Sequence, residues 1–235
     1  MGNILEVRDI HTFIGQFHIL QGVSLEAAEG TITAILGRNG AGKTTTLKSI
    51  LGLTPPRNGK VVFAGQEIQG RPAYEIAAMG IGYVPENRAI FTNLTVAENL
   101  KIAERKRGDL DRKANFIFGL FPDLKRLYRL PGGHLSGGQQ QMLAIARALV
   151  PDNQLLLIDE PSEGLAPIII QELMEAIRQL SERVTVLLVE QNFQMASRLA
   201  KNYVIIDDGR SVRSGAMEDL LRQPEIIRRY LGATI

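Results

Sequence analysis

Apolar residues follow two spacings along this chain. Thr31 to Leu36 is a short aliphatic run ending in a glycine-rich turn, and from Thr44 to Leu53 the residues Leu47, Ile50 and Leu51 recur at helical spacing. The predicted order there is strand, loop, helix. Leu155 to Ile158 and Val184 to Val189 are unbroken aliphatic runs bounded by polar or charged residues, as in strands covered on both faces of a parallel sheet. Between them Ile169, Leu173, Ile177 and Leu180 mark one face of a helix from about Pro167 to Ser181. Strands alternating with helices imply right-handed crossovers and helices on both sides of the sheet.

Two stretches break this rhythm. Leu5, Val7 and Ile10, then Leu20, Val23 and Leu25, then Lys60 to Phe63 read as short strands parted by glycine and polar turns, predicting a small antiparallel layer over one side of the site. From Asn87 to about Leu135 the pattern turns mostly helical and more basic, with Arg105, Lys106, Arg107, Lys125 and Arg126, which predicts an inserted helical subdomain. Those basic positions read as a solvated helix face in preference to a patch for anionic lipid headgroups. Tyr203 to Ile206 leads into a hairpin turn at Asp207-Asp208-Gly209-Arg210, and one last helix is predicted from about Met217 to Leu231. The expected organisation is a single domain over 1–235, with a core at 1–86 and 136–235 and the helical subdomain at about 87–135.

Composition removes several functional classes. The 235 residues are 45% hydrophobic, enough to bury a large core, and the net charge of +2 gives no broad basic surface for nucleic acid. With no cysteine there is no disulfide frame, zinc finger or thiol nucleophile, and His11, His18 and His134 lack metal-ligand spacing. No apolar run approaches the roughly 20 residues needed to cross a bilayer, and Glu6, Arg8 and Asp9 interrupt the beginning of the chain before a signal-peptide core forms. The expectation is a soluble protein that is not exported.

The chemistry is concentrated in three strings. Gly37-Arg38-Asn39-Gly40-Ala41-Gly42-Lys43-Thr44 fits G-x-x-x-x-G-K-S/T between a predicted strand and helix. Its glycines let backbone N–H groups close around phosphates, the helix start adds its positive dipole end, Lys43 reaches the β- and γ-phosphates, and the Thr44 hydroxyl ligates Mg²⁺. Leu155-Leu156-Leu157-Ile158-Asp159-Glu160 delivers two carboxylates at the carboxyl end of a strand, where parallel sheets collect ligands. Asp159 is placed to hold Mg²⁺, and Glu160 to take a proton from water attacking the γ-phosphate. Leu135-Ser136-Gly137-Gly138-Gln139 precedes a helical stretch to Leu149, giving a second helix N-terminus with a hydroxyl and backbone amides. The expected fold is α/β: a P-loop NTPase (RecA-like) parallel sheet core with an N-terminal antiparallel β layer and the inserted helical subdomain.

The third string resembles the signature of ABC transporter ATPases, and the order P-loop, signature, acidic pair is that family's order over essentially the whole chain. The resemblance implies ATP and Mg²⁺ as ligands, ATP hydrolysis, and a head-to-tail dimer with itself or a related ATP-binding subunit. In such a dimer each P-loop, Gly37 to Thr45 including Thr45, faces the other subunit's Ser136, Gly137, Gly138 and Gln139 across the nucleotide. Val84-Pro85-Glu86, Gln139 to Ala144, Gly164 to Ile170 and Leu188 to Asn192 further resemble the ATP-binding subunit of branched-chain amino acid importers (LivF-like). That places the chain on the cytoplasmic face of the cell membrane, bound to transmembrane permease subunits and served indirectly by an extracytoplasmic solute-binding protein. Alternatives are import of amides, urea or another small polar solute, or a soluble non-transport ABC ATPase.

Several positions depart from the family's general pattern. Glu86 stands where most members carry Gln and adds a metal-binding carboxylate; Gln191 stands where most carry a γ-phosphate-sensing His and can donate a hydrogen bond without becoming cationic. Glu160, Lys43 and Gln191 are accordingly the catalytic candidates, and Thr44, Glu86 and Asp159 the metal candidates, against the alternative that Glu86 and Gln191 are surface polar residues. Where the family usually stacks an aromatic on adenine, this chain has Ile14 with Phe13 beside it, and a core role for Phe13 competes. The loop after the acidic pair has Ala166 where the family often has Asp. The permease's coupling helix is expected near Glu86 to Leu94, with Ile90, Phe91 and Leu94 as its apolar contacts.

Overall fold

The structure, a computed structural model, describes residues 2–232. In chain order, β1 (Asn3–Ile14), β2 (Phe17–Ala28) and β3 (Ile32–Leu36) lead to α1 (Lys43–Ile50), then β4 (Asn58–Phe63), β5 (Gln66–Glu67), α2 (Ala73–Ala78) and β6 (Ile81–Val84). Helices α3 (Val96–Lys101), α4 (Asp109–Leu120) and α5 (Pro122–Arg126) follow, then α6 (Gly137–Leu149), β7 (Leu155–Asp159), α7 (Pro167–Ser181), β8 (Thr185–Val189) and α8 (Phe193–Leu199). A hairpin of β9 (Asn202–Asp207) and β10 (Arg210–Ala216) precedes α9 (Met217–Leu221) and α10 (Pro224–Leu231).

Two sheets result. The larger runs β10-β9-β3-β8-β7-β6, parallel throughout except for β10, and the smaller runs β2-β1-β4-β5, antiparallel. The aliphatic runs of β7 and β8 are buried at every position because both faces are covered. Leu156, Ile158, Val186 and Leu188 face a core shared with α6, α7 and α8, while Leu155, Leu157, Leu187 and Val189 face a second core under α1 and the smaller sheet. The glycine-rich loop from Gly37 to Gly42 therefore grows from β3, an inner strand held on both edges, which makes it a rigid platform.

Three elements differ from what the sequence predicts. The amino-terminal strands are longer than the short runs suggest, since register shifts between Val7 and Ile10, with Asp9 at φ 48°, interrupt the alternation without ending the pairing. Strand β6 escaped the sequence reading because Gly82 breaks its apolar run; a Cβ there would lie 2.6 Å from Leu156 Cδ1, so glycine permits close packing against β7. The single last helix is instead two, α9 and α10. Pro224 lacks an N–H and disfavours helical backbone in the preceding residue, and Gln223 sits at φ −123°, ψ 67°.

Candidate functional site

The loop from Gly37 to Gly42 is folded by contacts that only glycine permits at its two ends. A Cβ on Gly37 would lie 2.2 Å from the Ile206 carbonyl oxygen, and Gly42, at φ 107°, is the N-cap of α1. The hairpin turn between β9 and β10 steadies the loop, the Gly209 N–H donating to the Ala41 carbonyl at 2.9 Å. Below it, the buried Thr12 and Ser49 hydroxyls lie 2.9 Å apart and tie β1 to α1.

Lys43 is only 4% exposed and curls back over this loop. Its Nζ donates to the carbonyls of Gly37 at 3.0 Å and Arg38 at 3.2 Å, and pairs with Glu160 Oε1 at 3.0 Å. Glu160 follows β7 in the left-handed region at φ 42°, a costly conformation for a non-glycine residue, and its N–H donates to the Val189 carbonyl at 2.9 Å. Together they border a cleft of about 420 Å³ whose walls include Asn39, Gly40, Gly42, Thr44, Thr45 and Glu86.

Asp159 is fully buried beneath the cleft, where the Thr44 hydroxyl donates to Oδ1 at 3.1 Å and the Tyr83 hydroxyl to Oδ2 at 3.3 Å. Burial pushes the Asp159 carboxyl above the usual carboxylate range, and the two hydroxyl bonds pull it down. The same burial, with Asp159 beside it, raises the Tyr83 phenol. Glu86 is also raised, first by a hydrogen bond shared with the Glu163 carboxyl and then by burial and the surrounding carboxylates. Among the described residues no group of three or more His, Cys, Asp or Glu side chains could hold a metal. A hydroxyl and a carboxylate side by side nevertheless fit Mg²⁺, which keeps several waters and takes one or two carboxylates plus phosphate oxygens.

The adenine candidates separate. Ile14, half exposed, lines the cleft with Ile19. Phe13 does not line it: its ring stacks on His18 at 4.1 Å, and Arg57 lies 4.3 Å from its centroid. Ser136 N-caps α6 in a capping box with Gln139, the Gln139 N–H donating to Ser136 Oγ at 3.3 Å and Gln139 Oε1 accepting the Ser136 N–H at 3.0 Å. None of Ser136, Gly137, Gly138 and Gln139 borders the cleft of their own chain. Gly138 packs so closely on α7 that a Cβ would meet Ile169 Cγ2 at 2.7 Å. Gln191 is exposed and borders a recess that also contains Glu160. Sequence reasoning missed Tyr83, hidden in the unrecognised strand β6, and Glu163, whose position three residues after Glu160 was a usable signal. It also missed Arg88, whose guanidinium lies against Gly137.

A glycine loop between an inner parallel strand and a helix, with a buried lysine and a strand-end carboxylate on the first helical hydroxyl, defines a P-loop nucleoside triphosphatase. Residues 20–163 match the family model described as ABC transporter. The chain is 41% identical to the high-affinity branched-chain amino acid transport ATP-binding protein BraG of Pseudomonas aeruginosa, over 97% of this chain and 100% of that protein. It is 36% identical to a probable branched-chain amino acid transport ATP-binding protein LivF of Archaeoglobus fulgidus, over 92% of this chain and 94% of that one. Its fold matches an ATP-binding cassette of an ABC transporter in its ADP conformation with a TM-score of 0.86 at 25% identity, covering 99% of this chain and 100% of that one. The chain belongs to the ABC transporter family, as an ATP-hydrolysing subunit. Among the described residues no helix is long and apolar enough to cross a membrane.

Proposed function

We propose that this chain powers branched-chain amino acid import from the cytoplasmic face of the cell membrane, as one of two ATP-binding subunits, like or related, bound to permease subunits and supplied by an extracytoplasmic solute-binding protein. The observation that carries the solute is the 41% identity along nearly the whole chain to BraG. The half-site geometry supports the dimer: the P-loop cleft and the signature helix are separate in one chain, so nucleotide bridges them only between two.

In this reading, phosphate displaces Glu160 from Lys43. The freed carboxylate accepts a proton from the attacking water, and Lys43 follows the developing charge on the phosphates. Thr44 and Asp159, with Glu86 at the rim, would hold Mg²⁺, which neutralises phosphate charge when bound. Ser136, Gly137, Gly138 and Gln139 present a helix N-terminus to the γ-phosphate on the other subunit, and the Gln191 amide donates to it. The permease would seat in a groove of about 520 Å³ lined by Leu51, Leu53, Tyr74, Ala77, Ala89 and Arg147. Leu53 and Tyr74 are exposed there, whereas Ile90, expected to contact the permease, packs against the core.

Uptake of labelled leucine into vesicles carrying the permease, the binding protein and this chain tests the solute. Leucine uptake that requires ATP and is lost in Lys43→Ala supports the reading. ATP-driven uptake of urea or an amide without leucine would replace it.

A further inference from the structure

A buried carboxylate behind the cleft joins two loops that the proposed chemistry uses separately. Glu190, immediately after β8, is 1% exposed. Its Oε1 accepts the Ser162 N–H at 3.1 Å, and its Oε2 accepts both the Ser162 hydroxyl and the Asn192 N–H at 3.0 Å. Ser162 stands two residues after Glu160, and Asn192 follows Gln191. Each anchor is held in turn. Asn192 caps α8, its side chain accepting the Met195 N–H at 3.1 Å, and the Glu163 N–H donates to the Glu160 carbonyl at 3.2 Å. Glu160, Ser162, Gln191 and Asn192 surround the recess of about 290 Å³ in front of Glu190.

A carboxylate this deeply buried persists only where hydrogen bonds offset its desolvation. Here every side-chain bond goes to one of the two loops. We propose that Glu190 is a positioning residue for ATP hydrolysis, clamping the loop of Glu160 to the loop of Gln191 so that base and γ-phosphate contact keep one fixed relation. The inference rests on the roles proposed above for Glu160 and Gln191.

The clamp depends on ionisation, because a protonated acid turns one oxygen into a donor and cannot accept all three bonds. Burial, with the facing Glu160 carboxylate adding to it, pushes Glu190 up to about 7, while Ser162 and Asn192 pull it down. Glu163 borders the same recess, and Lys43 pairs with Glu160 from the far side. Turnover is therefore expected to rise as pH rises through about 7. In Glu190→Gln, either orientation of the amide sets its NH₂ against a backbone N–H.

The test is steady-state ATPase of the chain assembled with its permease in membranes, from acid to alkaline pH, for wild type, Glu190→Gln, Ser162→Ala and Glu160→Gln. Glu190→Gln is expected to lower kcat about 10- to 100-fold, to leave the KM for ATP within about twofold, and to abolish the rise through neutral pH. Ser162→Ala, which keeps the ionised carboxylate, is expected to lower kcat several-fold and retain that rise. Wild-type kcat in Glu190→Gln, or a reduced kcat that keeps the pH dependence, overturns the proposal. If Glu190→Gln does not fold, wild-type kcat in Ser162→Ala overturns it. Persistent turnover in Glu160→Gln would unseat the base assignment. Its loss, with Glu190→Gln unaffected, would defeat the clamp alone.

Discussion

Lys43 pairs with Glu160 at 3.0 Å, and in the proposed chemistry a bound phosphate takes the lysine from that carboxylate. Glu160→Gln keeps the shape of the side chain and removes its charge. Lys43 retains its bonds to the Gly37 and Arg38 carbonyls, so the cation is not stranded and the loop is not forced open. What is lost is one charge-assisted contact at 3.0 Å between groups 4% and 13% exposed. Hydrogen bonds to charged groups contribute about 1.5–3 kcal/mol, and partial exposure of Glu160 brings this to about 1–2 kcal/mol. If phosphate takes Lys43 from Glu160 as proposed, removing the contact is expected to appear as tighter binding, about 5- to 30-fold. Calorimetric titration in the presence of a chelator, on wild type and Glu160→Gln, measures it. The choice of nucleotide separates competition for Lys43 from repulsion of the γ-phosphate. Lys43 reaches the β-phosphate as well, so the variant should also bind ADP more tightly. Tightening with ATP alone, or none with either nucleotide, would refute competition for the lysine.

Other consequences follow from single side chains. Gly37→Ala places a methyl 2.2 Å from the Ile206 carbonyl oxygen; parting β3 from β9 should cost about 2–4 kcal/mol in denaturant titration and remove ATP binding, and a fully stable variant would contradict the packing described. Ile14→Tyr adds a ring at the cleft wall and should tighten ATP binding about 5- to 30-fold through stacking, with no change for inorganic triphosphate; equal gains for both would mean that residue 14 does not meet the base. Glu190 also leaves a stability signature. Its folded pKa is raised from 4.5 to about 7, so its stabilising contribution is present below pH 4.5, is lost as pH rises to about 7, and is constant above. The loss is about 3 kcal/mol, and thermal melts should show a smaller decline between pH 5 and pH 8 in Glu190→Gln than in wild type.

The parts of the molecule legible in the sequence are those where one local pattern carries the information. Leu155 to Asp159 is apolar up to its last residue because both faces are covered, and the P-loop glycines recur at a spacing that is read without knowing the distant residues, Ile206 and Gly209, that pack on and steady the loop. Other features depend on contacts that sequence spacing does not reveal. Phe13 and Ile14 are neighbours in a strand, but a register shift between Thr12 and Phe13 breaks the alternation that would have told which one faces the cleft. Glu190 reads as a polar end to an aliphatic strand. Its bonds to Ser162 cross 28 residues of sequence, and its burial is created by the loops it fastens. Glu86 and Glu163 likewise come from separate loops, and the hydrogen bond that raises Glu86 exists only once β6 and β7 are paired.

Mg-ATP turnover by the purified chain and by Glu160→Gln, each alone and with membranes containing the permease, tests the proposed transport ATPase most directly. Turnover that rises with the permease and falls about 10²- to 10⁴-fold in Glu160→Gln is expected. Turnover indifferent to both the permease and Glu160 would contradict the proposed chemistry and its coupling to transport.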